Sequence, residues 1–260
     1  FDYSQQEPRI VVHYAIKHEL NGTEDLVKEF NKDNADFHQI VADMAKISRS
    51  QAKTINLGLF YGMGKIKLQK ELNLSKEESK TLFNTYHKKV PFVKELSDVL
   101  IEFAEDFKLL FTLGDRFCRF NKWESTDRQW NNDTGRFDPT PILTKEEALT
   151  AFKAKILDSL IPEHAQEYIN NFESYYKPAF TYKALNRLIQ GSAADMTKIA
   201  MVKLYEKGIL PQIQIHDELC LSIKDDKEKE IVIETMENAI PLEIKNKVNC
   251  KIGNNWGEAK

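Results

Sequence analysis

The spacing of apolar residues changes near the end of this chain, and the change limits the fold more than any other feature. Apolar and polar residues alternate there with the two-residue period of a β-strand. The alternating apolar residues are Ile213, Ile215, Leu219, Leu221 and Ile223. The polar run His216-Asp217-Glu218 interrupts them. The pattern predicts a β-hairpin with two acidic side chains at its tip.

The first two thirds of the chain carry helical patterns instead. Ser75-x-x-Glu78 and Thr144-x-x-Glu147 are capping-box patterns ahead of periodic apolar runs, and Thr23-Glu24-Asp25 predicts another helix start. Pro91 interrupts one helical run, and the polar segment 121–141, which contains Gly and Pro, predicts a loop. Helices followed by a small antiparallel sheet indicate an α+β fold class.

Composition indicates an ordinary globular protein. The 260 residues are 42% hydrophobic and 30% charged, with no apolar run long enough to span a membrane and no signal peptide. Three widely spaced cysteines favour reduced thiols and a cytoplasmic setting. The net charge of −3 is unlike that of a typical nucleic-acid binder, yet residues 44–70 contain six cations and no acid. That segment is either a phosphate path or a solvated helix face.

A second acidic motif opens the chain, and a basic helix follows it. The motif is Asp2-Tyr3-Ser4-Gln5-Gln6-Glu7-Pro8-Arg9. Further along, two cations, an apolar residue and an aromatic residue follow one another at intervals of four, so they lie on one face of a helix. They are Arg49, Lys53, Leu57 and Tyr61, and Gly62 follows.

These motifs, in this order, resemble the family A DNA polymerases, and so does Asn186-x3-Gln190-Gly191-Ser192-Ala193-Ala194-Asp195. The resemblance covers nearly the whole chain. It implies a right-hand polymerase fold, with helical fingers and a small antiparallel palm sheet, in which the thumb and the exonuclease domain are absent. Residues 1–14 would be a truncated part of the palm, 15–180 the fingers with an insertion at about 121–178, and 181–260 the rest of the palm. A phage-type enzyme is expected, in the host cytoplasm if a phage encodes the chain.

The resemblance also implies a reaction. Such an enzyme adds deoxynucleotides to a primer 3′-hydroxyl by two-metal phosphoryl transfer. Asp2, Asp217 and the backbone carbonyl of Tyr3 are the expected ligands of two Mg²⁺ ions. Glu218 lies close to the metals in the family, and Lys53 completes the expected catalytic set.

The incoming nucleotide is expected on the basic helix. Arg49 and Lys53 would meet the triphosphate, while Leu57 and Tyr61 would meet the base and sugar. The family usually has Phe at the position of Leu57, so the aromatic contact with the sugar is lost. Glu7 matches the family residue that blocks a ribose 2′-hydroxyl.

Primer–template DNA is the other expected partner. Asn186 and Gln190 would contact its minor groove, with His216 near the primer terminus and Arg9 as a further DNA contact. A missing N-terminal polymerase segment is the third expected partner, and no membrane partner is expected.

Two other functions stay open from the sequence. One is a non-catalytic DNA-binding fragment. The other is an RNA-synthesising relative, which Glu7 and Glu218 disfavour because such relatives lack the first glutamate and typically have Ser at the second position. Because only Phe1 precedes Asp2, we expect the start of the chain to fray and the isolated chain to be nearly inactive.

Overall fold

The computed structural model describes residues 1–30, 32, 35–60, 63–131, 136–159 and 171–259. The helices are α1 (Gln6–Lys17), α2 (Glu24–Phe30), α3 (Phe37–Ala45), α4 (Arg49–Phe60), α5 (Lys65–Glu71), α6 (Lys76–Lys89), α7 (Pro91–Phe107), α8 (Lys145–Ser159), α9 (Phe172–Tyr175), α10 (Ala184–Glu206) and α11 (Asp226–Glu237). The strands are β1 (Asp2–Tyr3), β2 (Leu109–Phe111), β3 (Phe117–Arg119), β4 (Lys122–Ser125), β5 (Trp130–Asn131), β6 (Arg136–Phe137), β7 (Leu143–Thr144), β8 (Tyr176–Pro178), β9 (Ile213–Ile215), β10 (Glu218–Cys220) and β11 (Val248–Asn249).

The chain divides into two compact units. Unit 1 comprises Phe1–Val99, Phe111–Phe117 and Leu185–Lys260, and unit 2 comprises Leu100–Leu110 and Cys118–Ala184. Unit 1 therefore contains both acidic motifs and the basic helix. The assignment of 1–14, 15–180 and 181–260 to palm, fingers and palm stays a prediction.

The predicted helix starts are confirmed by their capping geometry. Ser75 and Glu78 form a reciprocal capping box at the start of α6, and Thr144 and Glu147 exchange the same pair of hydrogen bonds at the start of α8. Pro91 is the first residue of α7, where its missing N–H breaks no helical hydrogen bond. These local signals place helix ends because each depends on residues three apart.

The sheet of unit 1 brings the two ends of the chain together. Among the described residues, four short antiparallel strands lie in the order β11–β1–β10–β9. Strand β1 is an inner strand: the Phe1 amino group donates to the Leu219 carbonyl, and the Leu219 N–H donates to the Phe1 carbonyl. The expected fraying at Phe1 is therefore wrong, because backbone pairing with a distant hairpin holds this residue.

Helix α1 follows β1 directly and is buried along most of its length. Ile10, Val11 and Val12 are fully buried. Arg9 is only 2% exposed; its Nε donates to the Ser4 carbonyl at 2.8 Å and its Nη1 to the Lys245 carbonyl at 2.5 Å. Arg9 thus ties the first residues of α1 to the segment that precedes β11.

Unit 2 is built on an aromatic cluster and a small antiparallel sheet in the order β7–β4–β8. Trp123, Phe152 and Phe172 are nearly fully buried, and each contributes about 1.5–3 kcal/mol by leaving water. The prediction that 121–141 is a loop is wrong for its described residues in β4, β5 and β6. Burial of Trp123 on one side of β4 orders a strand whose remaining residues are polar.

Every helix in the described residues is too short or too polar to cross a bilayer.

Candidate functional site: an acidic hairpin and its cleft

The candidate site is centred on the tip of the β9–β10 hairpin. Asp2 of β1 stands directly opposite Glu218 of β10, and the Tyr3 N–H lies 3.4 Å from the Asp217 carbonyl oxygen. His216 has a left-handed φ of 53° and forms the turn of the hairpin. Asp217 follows it and immediately precedes β10. Strand pairing therefore brings the Asp2 carboxylate to two neighbouring carboxylates, Asp217 and Glu218, that lie more than 200 residues further along the chain.

Burial and neighbouring negative charge raise the pKa values of Asp2 and Asp217. Burial and the negative charges of Asp217 and Glu218 raise the pKa of Asp2, while Lys251 opposes the rise. Burial also raises the pKa of Asp217, and Glu218 adds to it. A bound cation would relieve this repulsion and lower the pKa values of Asp2 and Asp217.

The residues present fit magnesium. Within the described ranges, no group of three or more His, Cys, Asp or Glu side chains is arranged as a complete metal site. Mg²⁺ does not require one, because it keeps several waters and usually binds one or two carboxylates together with substrate phosphates. Asp2 and Asp217 supply that number.

Tyr3 gives β1 its fixed position. Its ring is buried, its hydroxyl donates to the Met236 carbonyl at 2.7 Å, and burial raises its pKa. The predicted metal contact of its backbone carbonyl stays a prediction.

An open cleft of about 580 Å³ adjoins the hairpin tip. Its lining comes from the start of α1, the middle of α10 and the hairpin. The lining residues are Gln6, Glu7, Gln190, Ala193, Ala194, Gln214, His216 and Asp217. Four predicted site residues therefore meet around one cleft, namely Glu7, Gln190, His216 and Asp217.

Buried hydrogen bonds hold α1 against α10 beside this cleft. Gln6 is 4% exposed, and its side-chain amide donates to the Ala193 carbonyl and to Thr197 Oγ1, both at 3.3 Å. Tyr14 and Ser192 lie 3.4 Å apart through their hydroxyl oxygens. Glu7 is half-buried in the first turn of α1, where the helix dipole favours a carboxylate.

Helix α10 presents the two predicted minor-groove residues one turn apart. Asn186 is half-buried, and Gln190 is exposed beside the cleft. The small residues Gly191 to Ala194 follow, in line with the close approach of α1 to this part of the helix.

A charged clamp behind Gln190 was not predicted as part of the site. The Asp195 side chain is 5% exposed and accepts hydrogen bonds from Thr112 Oγ1, Arg116 Nε and, at 3.3 Å, the Gly114 N–H. Arg116 also donates to the Gly191 carbonyl at 3.0 Å. An added Cβ at Gly114 would lie 2.8 Å from Asp195 Cβ, so only glycine allows this approach. The sequence signal for it was an aspartate among small residues in a helix that is expected to be buried. A buried carboxylate requires hydrogen-bond donors from another segment.

The predicted residues of the basic helix α4 differ in their exposure to solvent. Arg49 and Lys53 are exposed, and Leu57 is half-buried. Arg49 forms an ion pair with Asp36 at 2.7 Å. None of the three lines the cleft described above. Tyr61 and Gly62 lie outside the described residues.

Buried hydrogen bonds connect α4 to His38 and Tyr86. Asn56 is fully buried; its amide oxygen accepts from the Tyr86 hydroxyl at 2.6 Å, and its amide nitrogen lies 3.1 Å from His38 Nδ1. Burial, with the charges of Arg49 and Lys53, lowers the pKa of His38 although Asp36 opposes this. The two cations therefore lie in the electrostatic neighbourhood of one buried imidazole.

The placement of Arg9 differs from the predicted DNA contact. Its guanidinium is buried, bonded to two backbone carbonyls and stacked 5.3 Å from the centre of the Phe30 ring. Burial lowers its pKa, and the nearby Glu237 opposes this. In this geometry Arg9 stabilises the fold, and its contact with DNA stays a prediction.

Comparison with known proteins gives consistent matches across the chain. A DNA-directed DNA polymerase of Pseudomonas phage M6 is 33% identical over 300 residues, which cover 99% of this chain and 38% of that protein. DNA polymerase I of Caldicellulosiruptor bescii is 31% identical over 277 residues, covering all of this chain and 26% of that protein. The chain thus spans well under half the length of these relatives.

A solved structure has the same fold. The POL domain of Pol1 from M. smegmatis, in complex with DNA primer-template and dNTP, matches 99% of this chain and 39% of its own with a TM-score of 0.65 and 25% identity. The model of DNA polymerase family A matches residues 1–138 and 148–258. With nearly every residue inside that match, both acidic motifs and the basic helix included, the chain belongs to DNA polymerase family A.

Proposed function

We propose that this chain performs the nucleotidyl transfer of template-directed DNA synthesis, adding deoxynucleotides to a primer 3′-hydroxyl and releasing pyrophosphate. The observation that carries the proposal is the pairing of β1 with β10, which brings Asp2 opposite Glu218 and next to Asp217. The proposed partners are primer–template DNA, deoxynucleoside triphosphates and a further polymerase segment N-terminal to these residues.

In this proposal Asp2 and Asp217 hold two magnesium ions, with Glu218 close by. Magnesium bound there supplies Lewis acidity, which favours the ionised hydroxyl nucleophile and stabilises charge on the leaving oxygens. The carboxylates themselves must be ionised, so the raised pKa values of Asp2 and Asp217 make cation binding and proton release interdependent.

The other residues bind and orient the substrates. Arg49 and Lys53 neutralise the triphosphate, and Leu57 with Tyr61 contacts the base and sugar. Glu7 stands at the cleft wall where it would exclude a 2′-hydroxyl. Asn186 and Gln190 of α10 contact the minor groove, and His216 lies at the primer terminus.

The test is magnesium-dependent extension of a labelled primer, with the chain alone and with the N-terminal segment added in trans. Asp2→Asn or Asp217→Asn should lower extension by about a hundred- to a thousandfold while duplex binding is kept. Asp225→Asn is the matched control, because it removes a carboxylate at the start of α11. Extension within tenfold of the unsubstituted chain in both site variants would refute the metal assignment.

The same assay separates the alternatives. DNA binding without extension under every condition would identify a non-catalytic binding fragment. Preference for ribonucleotides would identify an RNA-synthesising relative.

A further inference from the structure

We propose that Asp36 is a positioning residue for the nucleotide: its carboxylate orients the guanidinium of Arg49 for contact with the triphosphate. This inference rests on the proposed function, in which α4 binds the incoming nucleotide. It adds a residue whose side chain acts through Arg49 and does not itself touch the substrate.

The two oxygens of the Asp36 carboxylate have separate tasks. Oδ1 accepts from the backbone N–H groups of His38 at 2.9 Å and Gln39 at 3.2 Å, which caps α3. Oδ2 accepts a hydrogen bond from Nε of Arg49 at 2.7 Å, and it lies 2.7 Å from Nη2 in the same ion pair. Burial acts to raise the pKa of Asp36, but these donors and the charge of Arg49 outweigh it and lower the pKa. Asp36 is therefore ionised near neutral pH.

Asp36 is itself held on both sides by one side chain. The amide oxygen of Gln5 accepts from the Phe37 N–H at 2.7 Å, and its amide nitrogen donates to the Ala35 carbonyl at 3.1 Å. Gln5 lies three residues after Asp2 and precedes α1. Gln5, in the turn after the candidate metal ligand Asp2, thus holds the backbone on both sides of the residue that binds the guanidinium of Arg49.

The ion pair leaves Arg49 able to bind a ligand. A guanidinium has five N–H donors, of which Asp36 accepts a hydrogen bond from the one on Nε and pairs by charge with Nη2. Among the described residues no hydrogen bond engages Nη1, and the side chain remains 52% exposed. An arginine that is already held in one orientation loses less conformational entropy when it binds a phosphate.

Charge alone predicts the opposite change in triphosphate affinity, so the direction of the measured change tests the inference. Removing the negative charge of Asp36 would leave the cations of α4 more attractive to a triphosphate. Removing the orientation of Arg49 would weaken triphosphate binding. The short, paired contacts to Oδ2 favour the orientation effect.

The substitution Asp36→Asn separates charge from capping, because Asn is an equally good N-cap. Binding of deoxyadenosine triphosphate and of inorganic triphosphate to the whole chain is measured by calorimetry, with thermal unfolding as a check of folding. We expect about two- to fivefold weaker binding of both ligands, the range of an exposed ion pair. Asp225→Asn, which removes the charge of an equivalent N-cap on α11, should leave binding unchanged.

A double-mutant cycle with Arg49→Ala shows whether Asp36 acts through Arg49. The expected result is that Asp36→Asn has no further effect once Arg49 is absent. Unchanged or tighter binding in Asp36→Asn, or the same loss with and without Arg49, would overturn the inference. If Arg49→Ala and Lys53→Ala both left binding intact, the nucleotide assignment of α4 would fail as well, and with it this inference.

Discussion

At the residue scale, the site places like charges directly across a strand pair. Asp2 and Glu218 are register partners, and Asp217 adjoins them. Like charges in this position destabilise a sheet. The molecule tolerates the repulsion because β1 is paired on both sides and Tyr3 is anchored by its buried ring.

Replacing Asp2 should therefore stabilise the fold. Asp2→Asn removes the repulsion, and we expect the free energy of unfolding in metal-free buffer to rise by about 0.2–1 kcal/mol. Urea unfolding at pH 7 measures this. Unaltered or lower stability would mean that the carboxylates do not repel one another in the folded chain.

The pH dependence of that difference has a definite sign. Because folding raises the pKa of Asp2, the folded chain binds this proton more tightly than the unfolded chain, so the stability cost of ionisation appears as the pH rises from about 4 through the raised value. The advantage of Asp2→Asn should disappear below about pH 4. An advantage that persisted there would have a cause other than ionisation.

The cleft wall at Glu7 should control which sugar is accepted. Glu7→Ala removes the half-buried carboxylate beside Gln190 and Asp217, and we expect discrimination against ribonucleotides to fall by about tenfold or more, the value of one specific contact. The ratio of kcat/KM for deoxy- and ribonucleotides in primer extension measures it. Equal ratios before and after substitution would place sugar selection elsewhere.

At the scale of elements, α10 is held in position by hydrogen bonds with residues of other segments. Gln6 fixes its middle to α1, and Asp195 fixes it to the segment 111–117 of unit 1. The helix can thus present Gln190 to the cleft from a rigid support.

The clamp on Asp195 should be worth far more than a surface ion pair. Asp195→Ala leaves the Thr112, Gly114 and Arg116 donors without their acceptor and should lower the free energy of unfolding by about 1–3 kcal/mol. Asp98→Ala is the control, since it breaks the exposed pair with Lys94 on α7 and should cost only about 0.3–0.5 kcal/mol. Equal losses in the two variants would contradict the clamp.

At the scale of the whole molecule, local patterns predicted what depends on neighbouring residues. The period of two around Asp217 placed the hairpin, and the capping boxes placed the starts of α6 and α8. The family motifs named residues that meet at one cleft, including Glu7 and Gln190.

Contacts between distant segments were beyond such patterns. The burial of Arg9 depends on a carbonyl 236 residues away, and the partners of Asp195 lie about 80 residues earlier. The strand β4 is ordered because Trp123 packs in an aromatic cluster. The polar sequence of β4 does not predict this packing. A short sequence window contains only one partner of each of these contacts. The other partner is brought near only when the chain folds.

We propose that Asp2 and Asp217 act together as ligands of the bound magnesium ions. Titration of the chain with Mn²⁺, which takes the same oxygen ligands as magnesium, followed by electron paramagnetic resonance, tests it most directly. We expect Asp2→Asn and Asp217→Asn each to weaken binding by about tenfold or more, the double variant to be little worse than either, and Asp225→Asn to bind normally. Binding that survives in both site variants, or that is lost equally in the Asp225 control, would contradict the account.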